Sequence, residues 1–178
     1  MAFAGMPGSG KTAAVKVAAD RGIQVLRMGD SVWDEVKRRD LPLEAKVVGR
    51  IANEMRESHG PDVWARHTLK KVDPDAKLVV IDGLRSLAEL RVFKNALGRD
   101  FVLVHIQCPT EVRMERVMGR GREDDTASEE AFRERDEREL GWGLGEVMEE
   151  ADVVISNTGT KQELRMNVAY LLNDIFTW

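Results

Sequence analysis

Short apolar runs alternate with longer amphipathic stretches along this chain. Residues 1–4, 24–28, 77–81, 101–106 and 152–156 read as strands. Val79-Val80-Ile81 and Val102-Leu103-Val104 are continuous apolar runs, as expected of strands covered on both faces. A helical pattern follows each run. Pro61 and Pro109 sit where a first helical turn begins, and neither helix should extend back through them. Strand–helix alternation of this kind implies a parallel sheet with right-handed crossovers. Two stretches break the rhythm. Residues 32–72 hold two or three helices between the second and third strands, and residues 113–150 hold a charged excursion between the fourth and fifth. On the carboxyl side of such a sheet, insertions are where a ligand lid sits. No repeat, low-complexity linker or second domain is visible, so residues 1–178 read as one domain.

Composition narrows this picture. With 178 residues and 43% hydrophobic content, the chain can bury a good core. A net charge of −4 gives no basic footprint for nucleic acid, although Lys37-Arg38-Arg39 and Arg113 to Arg122 are local basic clusters. Cys108 is the only cysteine, which excludes an intrachain disulfide and suits a reducing compartment. Next to Pro109 at a strand end, it reads as a buried, inert thiol. No signal peptide is visible and no apolar run approaches the ~20 residues of a membrane span. A soluble cytoplasmic protein is expected.

The chemistry starts at Gly5-Met6-Pro7-Gly8-Ser9-Gly10-Lys11-Thr12, which fits the phosphate-binding loop pattern. Its glycines let backbone N–H groups turn toward phosphate oxygens. Lys11 can place an ammonium against the β- and γ-phosphates of ATP, and the Thr12 hydroxyl can ligate Mg²⁺. The following helix adds the attraction of its N-terminus for anions. The strand feeding the loop, Met1 to Ala4, is short beside the usual five or six residues. Either that strand is short or a few native residues are missing before it.

Other candidates gain weight from the loop. Asp82 ends an apolar strand and reads as a second Mg²⁺ partner. Gly83 allows close approach by a ligand, and Arg85 can grip a phosphate. Asp30, in Met28-Gly29-Asp30, can orient a Mg²⁺-bound water, act as base toward a hydroxyl, or cap a helix starting at Ser31. Arg116 and Arg120 share a helical face, and Gly121, Arg122, Glu123, Asp124, Asp125 and Arg133 follow. Converging guanidiniums stabilise a phosphoryl group in flight. The plainer reading is a surface helix laced with salt bridges, a character that residues 129–139 clearly have. Asn157-Thr158-Gly159-Thr160 follows the fifth strand and can either contact a nucleotide base or simply cap the last helix through Thr160.

These motifs in this order resemble the nucleoside monophosphate kinase family, adenylate kinase above all, over nearly the whole chain. Gly29-Asp30 is similar to the family's Thr-Gly-Asp, and Asp82-Gly83 with Arg85 resembles its Asp-Gly-Phe-Pro-Arg, one residue shorter. The strongest match is the run from Arg116 and Arg120 through Gly121–Asp125 to Arg133. Asn157 and Gly159 resemble the adenine-contacting loop. The chain looks closest to archaeal adenylate-kinase-like proteins, and dephospho-CoA kinase has a related scaffold. The resemblance implies a three-layer P-loop α/β fold with a five-stranded parallel sheet in the order 2-3-1-4-5. It also implies acceptor-binding helices at 32–72 and a short lid at 113–140. Mg²⁺ and ATP would be the cofactor and donor, and a nucleotide-like small molecule the acceptor. Lys11, Arg85, Arg120, Arg122 and Arg133 would then serve transfer, with Arg116, Asn157 and Gly159 beside the donor. Asp30 becomes the natural base if the acceptor is a ribose hydroxyl. Two positions depart from the family. Trp33 stands where adenylate kinases carry an arginine for the acceptor's phosphate, and Glu89 stands where they carry a base-reading glutamine. A reading of another class is a nucleotide-dependent switch or ATPase acting on a protein or RNA.

Overall fold

The computed structural model describes residues 1–120 and 128–176, without the side chains of Arg120 and Phe176. Strands β1 (Ala2–Ala4), β2 (Gln24–Arg27), β3 (Val79–Asp82), β4 (Leu103–Gln107) and β5 (Val153–Ser156) form one sheet, parallel throughout, in the order β2-β3-β1-β4-β5. The expected order therefore holds. Helices α1 (Lys11–Ala19) and α9 (Lys161–Phe176) cover one face and pack on each other. The other face carries α2 (Met28–Arg38), α3 (Ala45–His59), α4 (Val63–Leu69), α5 (Leu87–Leu97) and α8 (Leu144–Glu149). Two more helices, α6 (Thr110–Arg120) and α7 (Glu129–Gly141), lie between β4 and α8 in sequence. None of the described helices is long and apolar enough to cross a membrane.

The continuous apolar runs have a simple cause. In a strand, successive side chains point to opposite faces. Ala2, Ala4, Ile81 and Leu103 enter the core under α2–α5, while Phe3, Val80, Val104 and Ile106 enter the core under α1 and α9. Both faces are dry, so neither parity can be polar. Strand β1 is short but fully integrated. It pairs Ala2 with Ile81 on one side and with Leu103 on the other. The Met1 carbonyl accepts from Ile81 N–H, and Ala2 N–H donates to the Val102 carbonyl, each at 2.9 Å.

One boundary differs from the sequence reading. Strand β2 ends at Arg27 and α2 begins at Met28, with no loop between them. Asp30 is thus inside the first turn and does not cap the helix, although its charge suits the positive end of the helix dipole. The early start follows from burial. Met28, Val32 and Val36 recur every four residues and all enter the core.

The excursion between β2 and β3 contains three helices, α2, α3 and α4, tied together at several points. Ser31 Oγ lies 3.0 Å from Thr68 Oγ1, joining α2 to α4. Trp64 Nε1–H donates to the Ala52 carbonyl at 3.2 Å, joining α4 to α3. Glu35, 5% exposed, accepts from Arg38 and Arg39, and Arg39 reaches on to Glu54 of α3, each contact 2.7 Å. The bonds from Arg38 first, and then from Arg39, hold the Glu35 carboxyl at about 2, against burial that pushes it up.

That depressed value carries a pH signature. Glu35 contributes stability that is fully present above the ordinary glutamate value of 4.5 and is lost as pH falls through the window down to about 2. Urea unfolding at pH 6 and pH 3 should show a larger acid loss for the wild type than for Glu35→Gln. Equal losses would show that this network does not couple to folding.

Candidate functional site

The phosphate loop joins β1 to α1 at the carboxyl end of the central strand. Gly5, Gly8 and Gly10 all have positive φ, at 154°, 80° and 106°. Space as well as backbone demands glycine here. A Cβ on Gly8 would lie 2.8 Å from the Arg113 carbonyl, and one on Gly10 would lie 2.5 Å from Asn157 Nδ2. The loop carbonyls have partners. Gly5 O accepts from Lys11 Nζ at 2.6 Å, Met6 O from Ser9 N–H at 3.0 Å, Pro7 O from Arg113 at 3.0 Å and Ser9 O from Asn157 Nδ2 at 2.7 Å. The N–H groups of Gly8, Gly10, Lys11 and Thr12 have no hydrogen-bond acceptor among the described residues. A row of unpaired donors at the start of a helix is an anion site.

Lys11 sits at the electrostatic centre. Burial pushes its ammonium down from the usual lysine range, while Asp82 and then Glu139 pull it up, against Arg85 and Arg135. Asp82 pairs in register with Phe3, just before the glycine loop, and Arg85 follows it three residues on. The structure adds Glu139 and Arg135 from α7, which the sequence reading did not single out. Glu139 is 8% exposed, and its Oε2 lies 3.4 Å from Arg85 Nε. Arg85 also stacks 4.9 Å above the Trp142 ring, which Arg138 approaches at 5.8 Å.

A cavity of about 680 Å³ lies between α2, α3, α5 and the end of α7. Trp33, Trp64 and Trp142 contribute its indoles, and Arg56, Arg85 and Glu89 its charged groups. Glu89 Oε2 accepts from the Arg85 N–H at 2.9 Å, and Ser86 Oγ accepts from Glu89 N–H at 3.3 Å. These bonds fix the turn that presents Arg85. Burial raises the Glu89 carboxyl, opposed in part by the bond from Arg85. Gly29 and Gly83 line the cavity, whereas Asp30 is half-buried in the first turn of α2.

On the far side of the loop, Arg116 donates to the carbonyls of Asn157 at 3.2 Å and Gly159 at 2.8 Å, and to Cys108 Sγ at 3.4 Å. Arg116, Asn157 and Gly159 are thus brought together. Thr160 and Glu163 cap α9 reciprocally: Thr160 N–H donates to Glu163 Oε2 at 2.6 Å, and Glu163 N–H to Thr160 Oγ1 at 3.2 Å. Cys108 is half-buried, not fully buried as expected, and burial raises its thiol.

The arginines of the charged excursion divide. Arg122, with Gly121 and Glu123–Asp125, lies outside the described residues, as does the side chain of Arg120. Arg133 is not brought to Lys11. Its guanidinium pairs with Glu129 at 2.5 Å on the exposed side of α7. Arg113 is another residue that sequence reasoning missed. It looks like one more member of a basic cluster, yet it is 3% exposed. It grips Asp136 with two bonds of 2.9 and 2.5 Å, holds the Pro7 carbonyl and faces the Phe132 ring at 5.1 Å. The available signal was its spacing from Val117 on the inner face of α6, with Pro109 fixing where that helix starts.

Fold and loop together define the class, a P-loop α/β domain. A family model described as an AAA domain matches residues 4–133. The chain belongs to that family and, more narrowly, to the UPF0200 family. It is 45% identical over 175 residues to a UPF0200/UPF0201 protein of Archaeoglobus fulgidus, covering 97% of this chain and 54% of that one. It is 41% identical to a UPF0200 protein of Methanosarcina barkeri, covering 98% of this chain and 94% of that one. The chain thus spans about half of the first relative and nearly all of the second. Among solved structures it is similar to TT1252 from Thermus thermophilus, with a TM-score of 0.65 and 20% identity over 97% of this chain and 95% of that one. It is also similar to a shikimate kinase from Aquifex aeolicus, with a TM-score of 0.53 and 18% identity at the same coverage. At that identity the likeness is one of fold.

Arg113→Met should strand Asp136 inside the protein and release Pro7. Breaking a buried pair by removing one partner costs about 3–5 kcal/mol. Denaturant unfolding should show a loss of that size, and Arg113→Met/Asp136→Leu should recover much of it. A loss below about 1 kcal/mol would deny Arg113 its anchoring role.

Proposed function

We propose that this chain is a Mg²⁺- and ATP-dependent phosphotransferase. It moves the γ-phosphoryl group to a nucleotide-like acceptor, with a nucleoside monophosphate as the first choice. The observation that carries this reading is the double membership of Arg85. It lines the indole-walled cavity, and it follows Asp82, which pairs in register with Phe3 at the foot of the glycine loop. A donor site and an acceptor site that share a guanidinium suit transfer between two bound molecules.

Each residue has a role under this reading. The unpaired N–H groups of the loop cradle the donor phosphates, and Lys11 leaves the Gly5 carbonyl for the β- and γ-oxygens. Arg116, Asn157 and Gly159 form the edge against which the adenine rests. Thr12 and Asp82 fit Mg²⁺. Both offer hard oxygens, one on the first turn of α1 and one at the end of β3, close enough for Asp82 to act on Lys11. When bound, Mg²⁺ neutralises charge on the phosphate oxygens. Residues 32–72 form the acceptor wall, and residues 113–140 form the lid that excludes water, with Arg120, Arg122 and Arg133 closing over the transition state. Arg85 exchanges its Glu139 partner for the acceptor's phosphate. A phosphate acceptor is already ionised at neutral pH, so no strong base is required.

Two substitutions test this. Lys11→Ala should cut transfer at least ~10²-fold in a folded protein, by analogy with removal of one preorganised donor. Unchanged turnover would remove the donor site. Arg85→Ala should raise the acceptor KM far more than the ATP KM, and an effect confined to ATP would invert the assignment of the two halves. Both need a screen of the common nucleoside monophosphates with γ-labelled ATP. Release of inorganic phosphate alone, with no labelled product, would favour an ATPase.

A further inference from the structure

Position 33 carries an indole where the family resemblance places the guanidinium that holds the acceptor's phosphate. The cavity supplies another. Arg56, in the last turn of α3, lines the same wall as Arg85 and Glu89. A cation at that place suits the helix dipole, but the dipole does not explain its direction. His59, in the same turn, is exposed to solvent, whereas Arg56 is half-buried against the cavity. Its hydrogen bond is a long one, 3.5 Å to Asn53 Oδ1 on the preceding turn. Burial lowers Arg56 from its ordinary value, Glu89 opposes that and Arg85 adds to it, and all three line the one cavity. Glu89 already gives Oε2 to the Arg85 backbone. Arg85 has Glu139 at 3.4 Å, whereas no carboxylate lies within ion-pair distance of the Arg56 guanidinium among the described residues. A half-buried guanidinium with so weak a partner, in the same cavity wall as Arg85, suits an anion that reaches both.

We propose that Arg56 and Arg85 form a two-guanidinium clamp for the phosphate monoester of the acceptor, with Trp33 and Trp142 flanking its planar ring. The clamp rests on the phosphotransferase reading and deepens it. Arg56 takes over from α3 the task that position 33 of α2 has given up. The exchange leaves an aromatic surface where the ring lies, so recognition of the ring rests on stacking between apolar faces more than on hydrogen bonds.

The test separates the clamp from the reading beneath it. The donor site is first saturated with a non-hydrolysable ATP analogue. Wild type, Arg56→Met and Arg56→Lys are then titrated with inorganic phosphate, AMP and adenosine, read by the tryptophan fluorescence of the cavity. Arg56→Met should weaken phosphate and AMP about 10-fold or more, the scale of a lost charged hydrogen bond, and leave adenosine unchanged. Arg56→Lys should recover part of the loss, because an ammonium keeps the charge without the fork. In turnover, Arg56→Met should raise the acceptor KM at an unchanged ATP KM. Equal phosphate affinity in wild type and Arg56→Met overturns the clamp, even if transfer to a nucleotide is observed. Loss of phosphate affinity in Arg56→Met, with no nucleotide accepting a phosphoryl group from wild type, keeps the clamp and discards the acceptor reading. A matching loss of adenosine affinity would show that Arg56 shapes the cavity without gripping the anion.

Discussion

A phosphate loop can aim its N–H groups inward only if its carbonyls are satisfied outside. That requirement organises much of this molecule. Four carbonyls of the loop are claimed by Lys11, Ser9, Arg113 and Asn157. Two of these partners come from distant parts of the chain, Arg113 from α6 and Asn157 from the end of β5. Arg113 is in turn fixed by Asp136 of α7, and the Asn157 segment by Arg116 of α6. A short glycine-rich turn is thereby held by α6, by α7 and by the loop that leads into α9. An unpaired buried donor or acceptor costs as much as a lost hydrogen bond, so these anchors and the open anion site belong to one arrangement.

The same accounting explains why charge is abundant but balanced at the site. Lys11 is depressed by burial and supported by two carboxylates, Asp82 and Glu139. Glu139 lies beside Arg85 and balances its charge. The carboxylate keeps the guanidinium oriented. Trp142 adds a flat surface against which Arg85 rests.

Much of this was legible in the chain. The loop motif, the apolar runs and the alternation gave the parallel sheet, and its order followed from the resemblance. What escaped had physical reasons. The start of α2 depended on burial of Met28, and a strand that runs straight into a helix leaves no turn signal. Arg113 and Arg56 were invisible because the same residue type serves a solvated helix end and a buried anchor. Only packing distinguishes them: Arg113 lies under Phe132, and Arg56 turns into a cavity whose walls come from several helices. Glu139 was hidden in the same way, inside a segment whose composition is that of a surface helix.

The sheet separates two hydrophobic cores. Helices α2–α5 sit over one, and α1, which follows the phosphate loop, sits over the other. Substitutions that share no partners combine nearly additively. Substitutions in α2 and α3 can therefore reshape the cavity while the packing beneath the loop stays the same. In lineages built on this scaffold, a change of small-molecule preference is an inexpensive evolutionary step. Invention of a new phosphate cradle is not, because its anchors reach into α6, α7 and the segment after β5 together.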